Sequence, residues 1–121
     1  MGVGRRSGYY DQAKETMSAS ARQRYQETWL RELIELASHR APGVRRRLEA
    51  AGLTPKDLGG LDALARLPVM KKSELPELQK ADPPFGGFCT VPVARLRRIF
   101  VSPGPIFEPM GPEISRFHAE T

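Results

Sequence analysis

Nine of the eleven prolines stand at or after Pro68. Proline locks φ and removes a backbone N–H, so a chain can sustain long helices only where prolines are sparse. The first half is therefore free to build long helices, while the second is confined to short pieces, loops and edge strands. Leu, Ile, Val and Phe make up 27 of 121 residues with a net charge of +5, just above the composition at which chains stop folding, so the core must be lean.

In the proline-poor half, Tyr25, Trp29, Leu30, Leu33, Ile34, Leu36 and Ala37 recur at three- and four-residue spacing among charged residues. That spacing predicts an amphipathic helix of about five turns over residues 20–40, capped by Ser18 or Ser20. Pro42 ends it and starts a second helix through Val44 and Leu48 to a stop at Gly52, because the first turn of a helix has no use for the missing N–H. Arg45, Arg46 and Arg47 lie in that helix, where three consecutive positions fan out over about 200° and suit a solvated surface better than a single phosphate contact. Thr54-Pro55-Lys56-Asp57 starts a short helical piece, and Leu58, Leu61, Leu64 and Leu67 follow at intervals of three, as small helical turns closing under the long helix would require.

Upstream of this, residues 1–17 have no period of 2.0 or 3.6 and read as a flexible or docking arm, with Tyr9 and Tyr10 as its anchors. Downstream of Pro68, residues 73–80 form one short helix that tolerates Pro76 in its first turn, and Asp82-Pro83-Pro84-Phe85-Gly86-Gly87 forces a loop. Residues 97–101 make a single short strand that stops at Ser102-Pro103-Gly104-Pro105. A lone strand leaves its N–H and C=O groups without partners, so further sheet is expected from elsewhere. After Pro112, residues 113–119 look like a helix just begun.

The chemistry is sparse. No metalloprotease, Walker A, nucleophile-elbow or dinucleotide fingerprint occurs, so no catalytic and no metal-ligating residue is assigned. His39, His118 and the glutamates of the first helix read as surface groups. A single cysteine, Cys89, excludes an internal disulfide and a cysteine zinc set, and with no apolar leader and no span of about 20 apolar residues the default location is the cytoplasm, with no membrane partner. The basic balance, pI near 9.8, permits an anionic partner, but no nucleic-acid signature accompanies it, so nucleic acid is not expected. The turn after the strand is the one site-like feature, since backbone amides beside a glycine at a strand's carboxyl end suit anions.

From Tyr9 to Met110 the order of motifs resembles the amino-terminal portion of the phenylacetate-CoA ligase family, in the adenylate-forming acyl-CoA synthetase superfamily. The residues that carry it are Tyr9-Tyr10-Asp11 with Glu15-Thr16-Met17, Arg24 and Leu33 on the long helix, Pro42 with Arg45 to Leu48, and Ala51-Gly52. They continue with Leu64-Ala65-Arg66-Leu67-Pro68, Lys71, Lys72, Leu75, Pro84-Phe85-Gly86, Val91-Pro92 and Arg98-Ile99-Phe100-Val101-Ser102. The resemblance implies a carboxylate–CoA ligase that uses ATP, Mg and coenzyme A by way of an acyl-adenylate. It also implies a Ser/Thr/Gly-rich phosphate loop after the strand, usually Ser-Ser-Gly-Thr-Thr-Gly, on which Ser102 and Gly104 fall and from which two hydroxyl positions and the last glycine are missing.

The expected architecture is thus an α+β fragment: a helical region over 18–80, a Pro/Gly-rich connection, and over 81–121 the truncated start of an α/β adenylating domain with its first strand and turn. Such a piece is not expected to be active or to bind cofactors alone, and its expected partner is a complementing chain carrying the rest of the ligase, or a second copy. The competing expectation is a small helical interaction module that docks a protein through residues 20–40. The fragment predicts a sticky apolar surface around Ile99 to Phe107, whereas the module predicts few exposed apolar residues.

Overall fold

The computed structural model describes residues 8–112. Along them run α1 (Gln12–Glu15), α2 (Ala19–Arg40), α3 (Pro42–Ala50), α4 (Leu75–Ala81), β1 (Arg98–Ser102) and β2 (Ile106–Met110), with short 3₁₀ turns between α3 and α4 and before β1. Ser18 starts α2 as its type suggests, extended and with its hydroxyl accepting the Ala21 N–H at 3.2 Å, so that one of the free N–H groups of the first turn is satisfied. Ala41 ends α2 and caps α3 at once, donating to the Ala37 carbonyl at 2.8 Å while its own carbonyl accepts from Val44 and Arg45. Pro42 at the head of α3 costs no hydrogen bond.

One face of α2 builds the core. Ile34 packs with Val44, Leu67 and Ala63 around Leu48, Leu53 and Leu58, and Leu58, wholly buried, alone contributes about 1.5–3 kcal/mol by leaving water. Of the leucines spaced by three, Leu58, Leu61 and Leu64 belong to 3₁₀ turns, Pro55–Leu58 and Leu61–Arg66, whose three residues per turn match that spacing, and Leu67 is the extended residue that ends the second. The Thr54 N–H and hydroxyl donate to the Asp57 carboxylate at 2.7 and 2.8 Å. Those bonds, the backbone one first, hold the Asp57 carboxyl below its usual range. From α2, Arg31 donates to the Gly59 carbonyl at 2.9 Å and Glu27 accepts the Leu61 N–H at 3.4 Å, which clips these turns under the long helix.

The second half hangs on the first through a clasp. The Gly43 N–H donates to the Gly87 carbonyl at 2.8 Å, and the Arg46 guanidinium reaches Asp82 at 2.9 Å and the Gly86 carbonyl at 3.2 Å. The arginine triple is therefore no uniform solvated surface: Arg46 ties the loop, Arg47 donates to the Pro68 carbonyl at 3.2 Å, and Arg45 is exposed. Next along the chain, Gln79 of α4 is buried and its amide brackets β2, donating to the Phe107 carbonyl at 2.9 Å and accepting the Phe107 N–H at 3.0 Å.

One expectation changes. The strand is not alone, for β2 pairs antiparallel with β1, Ser102 opposite Ile106 and Arg98 opposite Met110. The prolines of this segment are tolerated by position. Phe107 spends its N–H and C=O on Gln79, so by the alternation of an antiparallel pair Pro109, two residues on, also faces away from β1, where its missing N–H breaks no ladder bond. Tyr9 and Tyr10 are exposed, and the described end of the arm is held by Asp11 accepting from the Lys14 N–H and by Glu15 accepting from the Tyr10 and Asp11 N–H groups. The helix expected over 113–119, with His118, lies outside the described residues.

Candidate functional site

Ser102 and Gly104 come together at the tip of the hairpin. Three residues, Pro103, Gly104 and Pro105, join the strands, and Gly104 sits at φ +128°, in the region open to glycine. A Cβ there would stand 3.5 Å from Ile106 Cδ1, an ordinary contact, so the backbone angle and not the space calls for glycine. Beneath the tip Ile106 is buried and fixes the turn to the body of the chain.

Chemically this tip has little to offer an anion. Pro103 and Pro105 carry no N–H, which leaves Gly104 as the one amide of the three. The Ser102 hydroxyl is turned inward: its Oγ is buried and is the single buried side-chain polar atom without a hydrogen-bond partner among the described residues. A phosphate cradle needs several amides and hydroxyls converging on the ligand, so these residues do not fit a bound triphosphate. Among the described residues, no group of three His, Cys, Asp or Glu could hold a metal ion, and no helix is long and apolar enough to cross a membrane. Cys89, half-buried, donates to the Val91 carbonyl at 3.1 Å. Of the carboxyls held below their usual range, Asp11 and Asp57 belong to helix starts, and Glu27, within α2, is held by the Gln23 amide and the Leu61 N–H. His39 pairs with Glu35 at 3.0 Å on the exposed side of α2.

A second feature was not distinguished by spacing alone. At 100° per residue, Tyr25, Trp29, Leu33 and Leu36 fall within about 80° of one another, and their centre lies about 110° from that of Leu30, Ile34 and Ala37. The helix has two apolar faces, and only the second is packed in the core. The first borders a groove of about 1340 Å³, along which Tyr25 meets Trp29 edge to face at 6.2 Å. Three- and four-residue spacing merges the two faces into one stripe, and the angular sum would have separated them. The sticky surface expected near the hairpin is also present, since Ile99, Phe100, Val101 and Phe107 are all exposed.

No family model matches the chain. Over 100 residues it is 34% identical to a phenylacetate-coenzyme A ligase of Thermus thermophilus, an alignment covering 83% of this chain and 21% of that one. Solved structures of 2-hydroxyisobutyryl-CoA ligase share its fold. One, in the postadenylation state in complex with R3-HIB-AMP, matches 89% of this chain and 23% of its own, with 33% identity and a TM-score of 0.81. Another, in complex with 2-HIB-AMP and CoA in the thioesterification state, matches 79% and 21%, with 34% identity and a TM-score of 0.70. The chain spans between a fifth and a quarter of the length of these relatives.

Proposed function

Because the chain belongs to the phenylacetate-CoA ligase family of adenylate-forming enzymes and matches its amino-terminal part, we propose that it supplies the helical amino-terminal region and the phosphate-loop hairpin to an AMP-forming carboxylate–CoA ligase. In such a ligase, ATP and a carboxylate give an acyl-adenylate with release of pyrophosphate, and the thiol of coenzyme A then displaces AMP to leave a thioester. In this proposal residues 18–80 are the helical region, residues 1–17 its arm, and residues from 81 onward the start of the α/β adenylating domain. Its setting is the cytoplasm, where the Cys89 thiol stays reduced.

The observation that carries the proposal is the hairpin. It belongs to a chain of which 89% keeps one fold with the ligase at a TM-score of 0.81, and its tip holds Ser102 and Gly104, the residues that the resemblance sets on the family's phosphate loop. The same tip argues that the loop is degenerate. Two missing hydroxyl hydrogen bonds at about 1.5–3 kcal/mol each correspond to triphosphate binding weaker by roughly 100- to 10,000-fold. The chain by itself then neither holds ATP at family strength nor adenylates an acid.

Exchange of labelled pyrophosphate into ATP, measured on the purified 121-residue chain with aryl and short hydroxy acids, tests this. No exchange above the protein-free rate is expected. Sustained exchange by a pure sample would refute the proposal.

A further inference from the structure

The groove beside the Tyr25–Trp29–Leu33–Leu36 face of α2 is a feature that the hairpin chemistry leaves unexplained. Leu33 is 56% exposed, Leu36 43% and Tyr25 38%, on a chain with few apolar residues to spare. Contiguous apolar surface of this kind marks an interaction site. A volume of about 1340 Å³ exceeds the roughly 300–1,000 Å³ of a small-molecule site, and suits a packed protein element instead. The groove carries more basic than acidic groups, Lys14, Arg22, Arg40 and Arg95 against Glu15 and Glu32.

What covers it follows from two observations. First, the relatives that share this fold are more than four times as long as the stretch they share, so the same helices are joined there to a much larger body. Second, Gly111 and Pro112, the last described residues, line the groove. The described chain thus runs from the hairpin to the edge of this groove, where a Cβ on Gly111 would stand 3.9 Å from Val91.

We propose that the Tyr25–Trp29–Leu33–Leu36 face is the surface on which the body of the ligase docks, and that the docked element is apolar with an acidic edge. The proposal rests on the family assignment above and adds the location of the contact. It makes the long helix a two-sided spacer, with its Ile34 face holding this chain's own core and its Leu33 face holding the enzyme.

The test compares one probe site in two settings. Leu33→Cys, with Cys89→Ser, is placed in the 121-residue chain, and the same residues 8–97 are grafted into the matched span of the Thermus thermophilus ligase, which keeps its own loop. Maleimide labelling at position 33 should be fast in the chain alone and at least about 100-fold slower in the graft, where labelling would need the packed face to open. Equal labelling in a graft that still forms phenylacetyl-CoA would overturn the docking surface and leave the family assignment standing. Equal labelling in a graft that is inactive or fails to fold counts against both. Protection in the chain alone, with a solution mass of two copies or more, would overturn the proposal by giving the face to a second copy.

Discussion

Replacing Gly43 with alanine puts a methyl group into the clasp between the two halves of the chain. The new Cβ would lie 2.7 Å from the Gly86 carbonyl oxygen and 3.0 Å from the Gly87 carbonyl carbon and oxygen. All three are backbone atoms, so none can swing away as a side-chain tip would. Relief requires the 82–87 loop to retreat by several tenths of an ångström, which stretches the Gly43 to Gly87 hydrogen bond from 2.8 Å. Overpacking of this kind costs about 1–3 kcal/mol, and the weakened hydrogen bond up to about 1 more. Alanine returns up to about 1 kcal/mol through helix propensity. The net loss is about 1–3 kcal/mol, read in urea as a midpoint lowered by about 1 M for a chain of this size. Gly59→Ala is the control, because Gly59 sits at φ −73° and a Cβ there would come no nearer than 3.7 Å to its neighbours. It should change stability by no more than about 0.5 kcal/mol. If Gly43→Ala is as neutral as the control, the clasp is not tight and the coupling drawn between α3 and the 82–87 loop is wrong.

Gln79→Leu keeps the apolar contact of α4 but leaves the Phe107 N–H and carbonyl without partners, a loss of about 1–3 kcal/mol that should show as faster amide exchange at Phe107 ahead of the α2 amides. Ser102→Ala removes a buried hydroxyl that has no partner, so thermal unfolding should show unchanged or higher stability; a clear loss would reveal a bond at Ser102 that the hairpin geometry lacks. Asp57 is held below its usual value near 3.8, so its contribution is present above that pH and fades as pH falls through its lowered folded value. The difference in thermal midpoint between the wild type and Asp57→Asn should therefore be largest near neutrality and shrink as the pH is lowered through and below 3.8; a difference that does not shrink in acid would contradict the carboxylate's role.

Local signals were legible wherever the cause was local. Ser18 caps α2, Pro42 divides it from α3, and Leu58, Leu61 and Leu64, at intervals of three, lie in 3₁₀ turns, because a cap, a missing N–H and a three-residue pitch each act within one turn of chain. The second strand was hidden for the opposite reason. Pro105 and Pro109 forbid a central strand, and only the pairing partner shows that Pro109 faces outward on an edge. Gln79 gave no warning either, since its burial depends on the Phe107 backbone 28 residues away. Arg46 is exposed as expected, but its bond to Asp82 and that of Arg47 to the Pro68 carbonyl were hidden for the same reason. Of the candidate site, the turn at Ser102-Pro103-Gly104-Pro105 was legible from its residue types, while the inward turn of the Ser102 hydroxyl required the fold.

The central claim is that this hairpin occupies the phosphate-loop position of a ligase in a form too poor in donors to hold a triphosphate. The most direct measurement replaces the matched loop of the Thermus thermophilus ligase with Ser102-Pro103-Gly104-Pro105 and reads the KM for ATP and the rate of phenylacetyl-CoA formation. With two charge-assisted hydrogen bonds removed, KM for ATP should rise, or kcat/KM fall, by roughly 100- to 10,000-fold while the fold is kept. A graft that uses ATP as well as its parent would contradict the claim, and would make this tip a working variant of the loop.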